Sequence, residues 1–357
     1  MHVGSGHIFQ NPYNKRTDLD LYQNEMQLAD LSEGLGFDSI WGVEHHFTDY
    51  TLCPDVLQWL TWVAARTERA QIGSMVVVLP WHDPLRVAEE VAMLDTLSNG
   101  RMILGIGRGL GRVEFDGFRV SMDETRARFI ESARMVLTGL ENGYVEGDGE
   151  FYPQPRRDLR PAPFKTFRGR AYAAAISPET MKILAELGVG MLILPQKPWD
   201  QIAEDLESYR STYREIQGEE APSPIVASFT YCDADASRAE EIMRRHMDSY
   251  YDSMLRHYEL QAEHFGKAKG YEYYKDMSKA LNKYGTGAAG EFFLNLQVFG
   301  TPEQCLEKIR DTMSKTGGQH FIATFAFGGI PYEDAERSMR LFAKEVMPEL
   351  QRAAVTA

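Results

Sequence analysis

Eight short apolar runs rich in β-branched residues recur along the chain, each followed by a stretch of helical period, and the alternation persists nearly from end to end. A chain written this way folds as successive βα units with parallel strands, and eight is the number that closes a (β/α)8 barrel. The predicted strands are His2–Phe9, Asp38–Val43, Gln71–Leu79, Met102–Gly107, Ala171–Ile176, Val189–Leu194, Ile225–Cys232 and Gln319–Phe325. Helix signals sit between them. Asp83-Pro84 reads as a cap followed by proline at the first helical position, with Gly100 as the stop, and Thr301-Pro302-Glu303-Gln304 reads as a capping box. A length of 357 residues suits one or two domains. Even strand spacing without a composition break favours a single α/β TIM barrel over residues 1–357. Two segments exceed a minimal barrel: Glu141–Arg170 after the fourth unit and Ala262–Gly290 after the seventh. Each reads as a lid, an interface piece or a solvated loop, and the second is the candidate mobile lid.

Composition narrows the function. Hydrophobic residues at 43% and charged residues at 25% describe a globular protein, and a formal charge of −14 repels nucleic-acid backbones and anionic membranes. Cys53, Cys232 and Cys305 are dispersed and odd in number, so neither a disulfide framework nor a Cys-x-x-Cys metal clip can be drawn. No signal-peptide pattern opens the chain and no run of 18 apolar residues interrupts it, so the expectation is a cytoplasmic protein without a membrane span.

In a βα barrel, chemistry gathers where strands end. The second strand runs into Glu44-His45-His46, where alternation turns His45 away from its two neighbours; the three cannot share one metal ion, and no metal site is expected. One of the histidines is either a general acid or base or a hydrogen-bonded structural residue. The fourth strand ends in Gly105-Ile106-Gly107-Arg108-Gly109-Leu110-Gly111, whose spacing fails the dinucleotide fingerprint. Its glycines permit close backbone approach to a flat ligand and Arg108 offers charge to an anionic group, although small residues also serve barrel packing. After the small-sided fifth strand, Ser177-Pro178-Glu179-Thr180 is either a phosphate-binding helix start or an ordinary cap.

Three stretches carry a resemblance: GFDSIWGVEHHFTDY at Gly36–Tyr50, VVVLPWHDPLRVAEEVAMLDTLSNGRMILGIGRG at Val76–Gly109, and VFGTPEQC at Val298–Cys305. Together with Tyr251-Asp252-Ser253 and Gly270-Tyr271, in the same order along almost the whole chain, they resemble the bacterial luciferase-like flavin monooxygenases, with particular likeness to the catalytic luciferase subunit. The resemblance implies a TIM barrel that uses reduced FMN (FMNH2) and O2, through a flavin C4a-peroxide, to oxygenate a small organic substrate such as an aldehyde or ketone. By this likeness His45 is the catalytic histidine. Arg108, with Leu110 beside it, Ser177 and Thr180 belong to the flavin-phosphate region, and Met75 and Val76, a cis pair in the family, lie against the flavin ring. Glu89 matches a glutamate that crosses the dimer interface toward His46, implying a homodimer, and a separate NAD(P)H:flavin reductase is implied as partner. Gly107 replaces a reactive cysteine and Ile176 a glutamate, so light emission and a long-chain aldehyde do not carry over. Two rivals remain: an F420-dependent hydride-transfer oxidoreductase of the same fold, and a non-catalytic flavin-binding protein.

Overall fold

The computed structural model describes residues 1–174, 178–262 and 271–352. Eight parallel strands close into a barrel: β1 (His2–His7), β2 (Ser39–Gly42), β3 (Gln71–Ser74), β4 (Met102–Gly107), β5 (Ala171–Ala174), β6 (Gly190–Ile193), β7 (Ile225–Cys232) and β8 (His320–Thr324). Closure is explicit in the register, because Gly4 of β1 pairs with Ser39 of β2 while His2 of the same strand pairs with His320 of β8. A short strand, Val298–Gly300, adds to the edge of β7 at Thr230. Among the described residues no helix is long and apolar enough to cross a membrane.

The lumen is filled around Trp41, which packs with Ile103, Leu192, Ile225, Ala227 and Ile322. The indole fits because two neighbouring strands present no side chain to it: a Cβ on Gly73 would meet Trp41 Cε3 at 2.3 Å, and one on Gly4 would meet Cδ1 at 2.9 Å. Its Nε1 donates to Ser39 Oγ at 2.8 Å, satisfying the one polar atom that burial strands. The larger apolar cluster lies between the sheet and the surrounding helices. Those helices begin where the punctuation predicts: Asp83 accepts from Leu85 and Arg86 amides ahead of Pro84–Leu97, and Thr301 and Gln304 exchange both capping-box bonds.

The predicted strand Gln71–Leu79 is not continuous. β3 ends at Ser74, the Met75–Val76 peptide is cis, and Val77–Val78 then pairs separately with Ile106 and Gly107 of β4. At the break Ser74 Oγ replaces the backbone ladder, donating to Gly105 O and accepting from Gly105 N, both at 2.9 Å.

The segment Glu141–Arg170 contains an antiparallel hairpin, Tyr144–Gly147 with Gln154–Asp158. It follows the helix Thr125–Asn142 and leads into β5, so it lies at the strands' N-terminal end, away from the mouth where a lid would act. Arg170 fastens this end, reaching Asp95 at 2.8 and 3.1 Å and Met102 O at 2.8 Å, with Asp95 fully buried. Removing one member of a buried pair leaves the other uncompensated, which costs about 3–5 kcal/mol. Asp95→Ala is therefore expected to lower the urea midpoint strongly without changing the residues at the mouth; a midpoint unchanged from wild type would show that the pair contributes nothing.

Candidate active site

The C-terminal strand ends open into one cavity of about 870 Å³. His45 enters it from the end of β2, Met75 and Val76 from the break after β3, Arg108 and Leu110 from the glycine loop after β4, and Thr180 from the helix Pro178–Leu187 after β5. Six residues singled out in the sequence thus share one wall system, although separated by up to 135 positions in the chain. Ser177 and Ile176 lie outside the described residues. Glu179, which would oppose an anion if turned inward, is mostly exposed and paired with Arg126 at 2.7 Å.

His45 is held on both ring nitrogens. Nδ1 lies 3.0 Å from Glu114 Oε1 and Nε2 lies 3.2 Å from the Tyr258 hydroxyl. The same Glu114 oxygen accepts the His46 amide at 2.9 Å and sits 3.4 Å from His257 Nε2, while His257 Nδ1 meets Thr48 Oγ1 at 2.7 Å. Burial alone would raise the Glu114 carboxyl, but the attraction of His45 and the contacts with His257 and His45 outweigh it and bring the pKa down to about 2. Burial lowers the pKa of His257, and nearby His45 pushes the same way against the partial offset from Glu114. The ionised carboxylate is thus fixed behind a ring that faces the cavity, an arrangement that orients an imidazole for proton transfer.

Alternation sends the neighbouring histidine elsewhere. His46 is nearly buried, with Nε2 3.2 Å from Glu44 Oε1, and His82 Nε2 reaches the same oxygen at 2.6 Å. The second Glu44 oxygen accepts from the Val78 amide at 3.0 Å, so Glu44 ties β2 to the segment after the cis bond. Glu89, the residue matched to an interface glutamate, lies on the helix Pro84–Leu97, about one-third exposed and 3.3 Å from Arg86. His46 is therefore engaged by Glu44 of its own chain.

Three residues of the His45 network, Glu114, His257 and Tyr258, escape the sequence reading. Glu114 sits in the first turn of the short helix Arg112–Phe118 and looks there like an ordinary acidic helix start. The other two end the long helix Ala236–Tyr258, where Tyr250, Met254 and Tyr258 recur every four residues and all line the cavity. That stripe is the signal available in the sequence, but its meaning depends on which strand ends it covers. From Ala262–Gly290, Leu281, Gly285, Ala288 and Ala289 also line the cavity, and residues 263–270 lie outside the described part.

The wall presented by β4 is shaped by absent side chains. A Cβ on Gly107 would stand 2.4 Å from Val76 Cγ2, and one on Gly109, at φ +81°, would meet Phe115 and Val78 at 2.9 Å. Arg108 stacks over the Tyr271 ring at 4.1 Å between these glycines. Backbone, one guanidinium and an apolar floor of Met75, Val76, Ala174 and Leu192 suit a flat ligand carrying an anionic tail.

Comparison with known proteins agrees with this geometry. A family model described as luciferase-like monooxygenase matches residues 1–320. The alkanal monooxygenase alpha chain of Photorhabdus luminescens is 27% identical over 334 residues, 91% of each chain. Among solved structures, the monooxygenase RslO1 from Streptomyces bottropensis superposes with a TM-score of 0.78 at 25% identity, over 98% of this chain and 99% of that one. At the level of fold alone, the oxygenating constituent of 3,6-diketocamphane monooxygenase from Pseudomonas putida, solved in complex with FMN, has a TM-score of 0.72 at 19% identity, covering 98% of both chains. The F420-dependent tetrahydromethanopterin reductase of Methanopyrus kandleri shares the fold too, with a TM-score of 0.66 at 19% identity, over 98% of this chain and all of that one. A family match across nine-tenths of the sequence, on a barrel of this topology, establishes that the chain belongs to the luciferase-like monooxygenase family.

Proposed function

We propose that the protein is a monooxygenase that takes reduced FMN and O2 and delivers one oxygen atom to a small, uncharged organic substrate such as an aldehyde or ketone. The observation that carries this reading is the meeting of Arg108, Thr180, the Met75–Val76 pair and His45 in one cavity. Arg108 and Thr180, with Ser177, would hold the phosphate of the flavin; Leu110, Met75 and Val76 would bound its ring. When bound, reduced FMN supplies the two electrons that reduce one oxygen atom to water while the other enters the substrate. The chain's own part is to bind, to orient and to keep water out. The helices Ala236–Tyr258 and Thr286–Leu296 contribute Tyr251, Met254, Ala289, Phe292 and Phe293 to the cavity, a wall without charge that favours a neutral, apolar substrate. The segment Ala262–Gly290 is the proposed cover.

A separate NAD(P)H:flavin reductase belongs to the same reading, since the glycine loop fails the nicotinamide fingerprint and the diketocamphane enzyme is described as an oxygenating constituent. A homodimer belongs to it as well. Glu89, Met93 and Leu97 follow one another at four-residue spacing on one helix, with Met93 and Leu97 exposed, a surface suited to a second subunit.

Oxygen incorporation tests the reading. With FMNH2 and ¹⁸O2 the protein is expected to place one labelled oxygen in the product of an aldehyde or ketone substrate, which autoxidation of free FMNH2 to hydrogen peroxide does not do. Arg108→Ala is expected to weaken FMN binding about 10–150-fold, as losing a charge-assisted contact of about 1.5–3 kcal/mol requires. Hydride transfer with F420H2 and no oxygen consumption would instead assign the chain to the reductase branch of the fold.

A further inference from the structure

In the neutral form of His45, the form able to take up a proton, the ring carries a single N–H. Glu114 is ionised and can only accept, so that proton sits on Nδ1 and Nε2 is an acceptor. The Tyr258 hydroxyl, 3.2 Å away, must then be the donor to Nε2. With its proton directed there, Tyr258 is left to accept from other groups, and beside it the Tyr50 and Tyr250 hydroxyls lie 2.9 Å apart. The donor order at the site is Tyr258, His45, Glu114. All three tyrosines line the cavity, while Tyr50 and Tyr250 are buried. The nitrogen that an unassisted histidine base would turn toward a substrate is covered by a phenol.

We propose that Tyr258 is the group that exchanges protons with the reactants, and that Tyr258, His45 and Glu114 form a hydroxyl–imidazole–carboxylate relay. The inference rests on the monooxygenase reading and adds a catalytic residue to it. In the forward step a proton leaves an O–H or C–H of the bound reactant, whose electron pair stays behind, and forms an O–H bond at the Tyr258 oxygen. The original Tyr258 O–H breaks as an N–H forms at His45 Nε2. Glu114 keeps its charge and faces the imidazolium. The reverse step returns the proton through Tyr258 to the oxygen that departs as water. Glu114 and His257 are positioning residues in this scheme, acting on the ring and not on the reactants.

The test uses the full chain, FMNH2 from a flavin reductase, and as probe the best-oxidised member of a panel of medium-chain aldehydes and methyl ketones. Tyr258→Phe removes one oxygen atom and is expected to lower kcat roughly 10²-fold with KM within about twofold. Members of one relay fail together, so the double variant with His45→Ala should lose no more than His45→Ala alone. Should Tyr258→Phe fold poorly, 3-fluorotyrosine at position 258 keeps the hydroxyl and shape while changing its acidity; the relay predicts a changed kcat and a moved ¹⁵N resonance at His45 Nε2. A Tyr258→Phe kcat within twofold of wild type, or losses that multiply in the double variant, overturns the relay alone. A wild type that oxidises no member of the panel overturns the reading beneath it.

Discussion

His45→Ala is expected to bind FMN within about twofold of wild type and yet to lose product formation by roughly 10²–10⁴-fold, the range set by removing a positioned acid or base. The electrons from FMNH2 should then appear as hydrogen peroxide. The separation follows from geometry. His45 approaches the cavity from the end of β2, whereas Arg108 and Thr180 approach from the loop after β4 and the helix after β5, so the imidazole can be removed without touching the groups proposed to hold the phosphate. Truncation also leaves Glu114 with one fewer partner, but the His46 amide still donates to it at 2.9 Å. Peroxide assay and product analysis on the same sample check the result, and full coupled turnover by this variant would remove His45 from the chemistry.

Glu114→Gln is the second large effect, and it appears in both activity and stability. A glutamine can offer the His45 ring an N–H where the carboxylate only accepts, so the tautomer is no longer fixed; in the serine-protease triad the corresponding change costs about 10⁴ in kcat. A loss of at least about 10²-fold in product formation is expected here. On the stability side, the folded carboxyl titrates near 2 against an ordinary value of 4.5. A depressed folded pKa means that the unfolded chain binds more protons in between, so the contribution is fully present above about pH 4.5 and is lost as pH falls through about 2. Its size is about 3 kcal/mol for this fully buried group. The difference in unfolding free energy between wild type and Glu114→Gln should accordingly shrink on acidification within that window. His257, whose pKa is depressed by burial against a partial offset from Glu114, acts from its ordinary value of 6.5 downward and is depressed further when the carboxylate is lost, so the comparison is read from about pH 4.5 downward. A difference that grows between about pH 4.5 and 2 would contradict the assignment of Glu114 as an ionised buried group.

What could be read from the chain alone follows the range of the interactions involved. Strand period, Asp83-Pro84 and the Thr301 capping box act over a few residues, and the elements they announce are present. The interruption after Ser74 could not be read in this way, because its partner is Gly105: a Cβ there would stand 1.9 Å from Ser74 O, a contact between strands 31 residues apart. Glu114 and Tyr258 have the same character, reaching His45 across 69 and 213 positions. Their local contexts, a helix start and a helix end, announce nothing beyond helix chemistry. The hairpin in Glu141–Arg170 shows a different gap: composition marked an extra segment, and only the direction of the preceding helix puts it at the end of the barrel away from the mouth.

The most direct test is an anaerobic calorimetric titration of the protein with FMNH2 and, separately, with reduced F420. The account predicts saturable heat with one FMNH2 per chain and none from F420. Heat from F420 alone, or from neither, would contradict a reduced-FMN site at this barrel mouth.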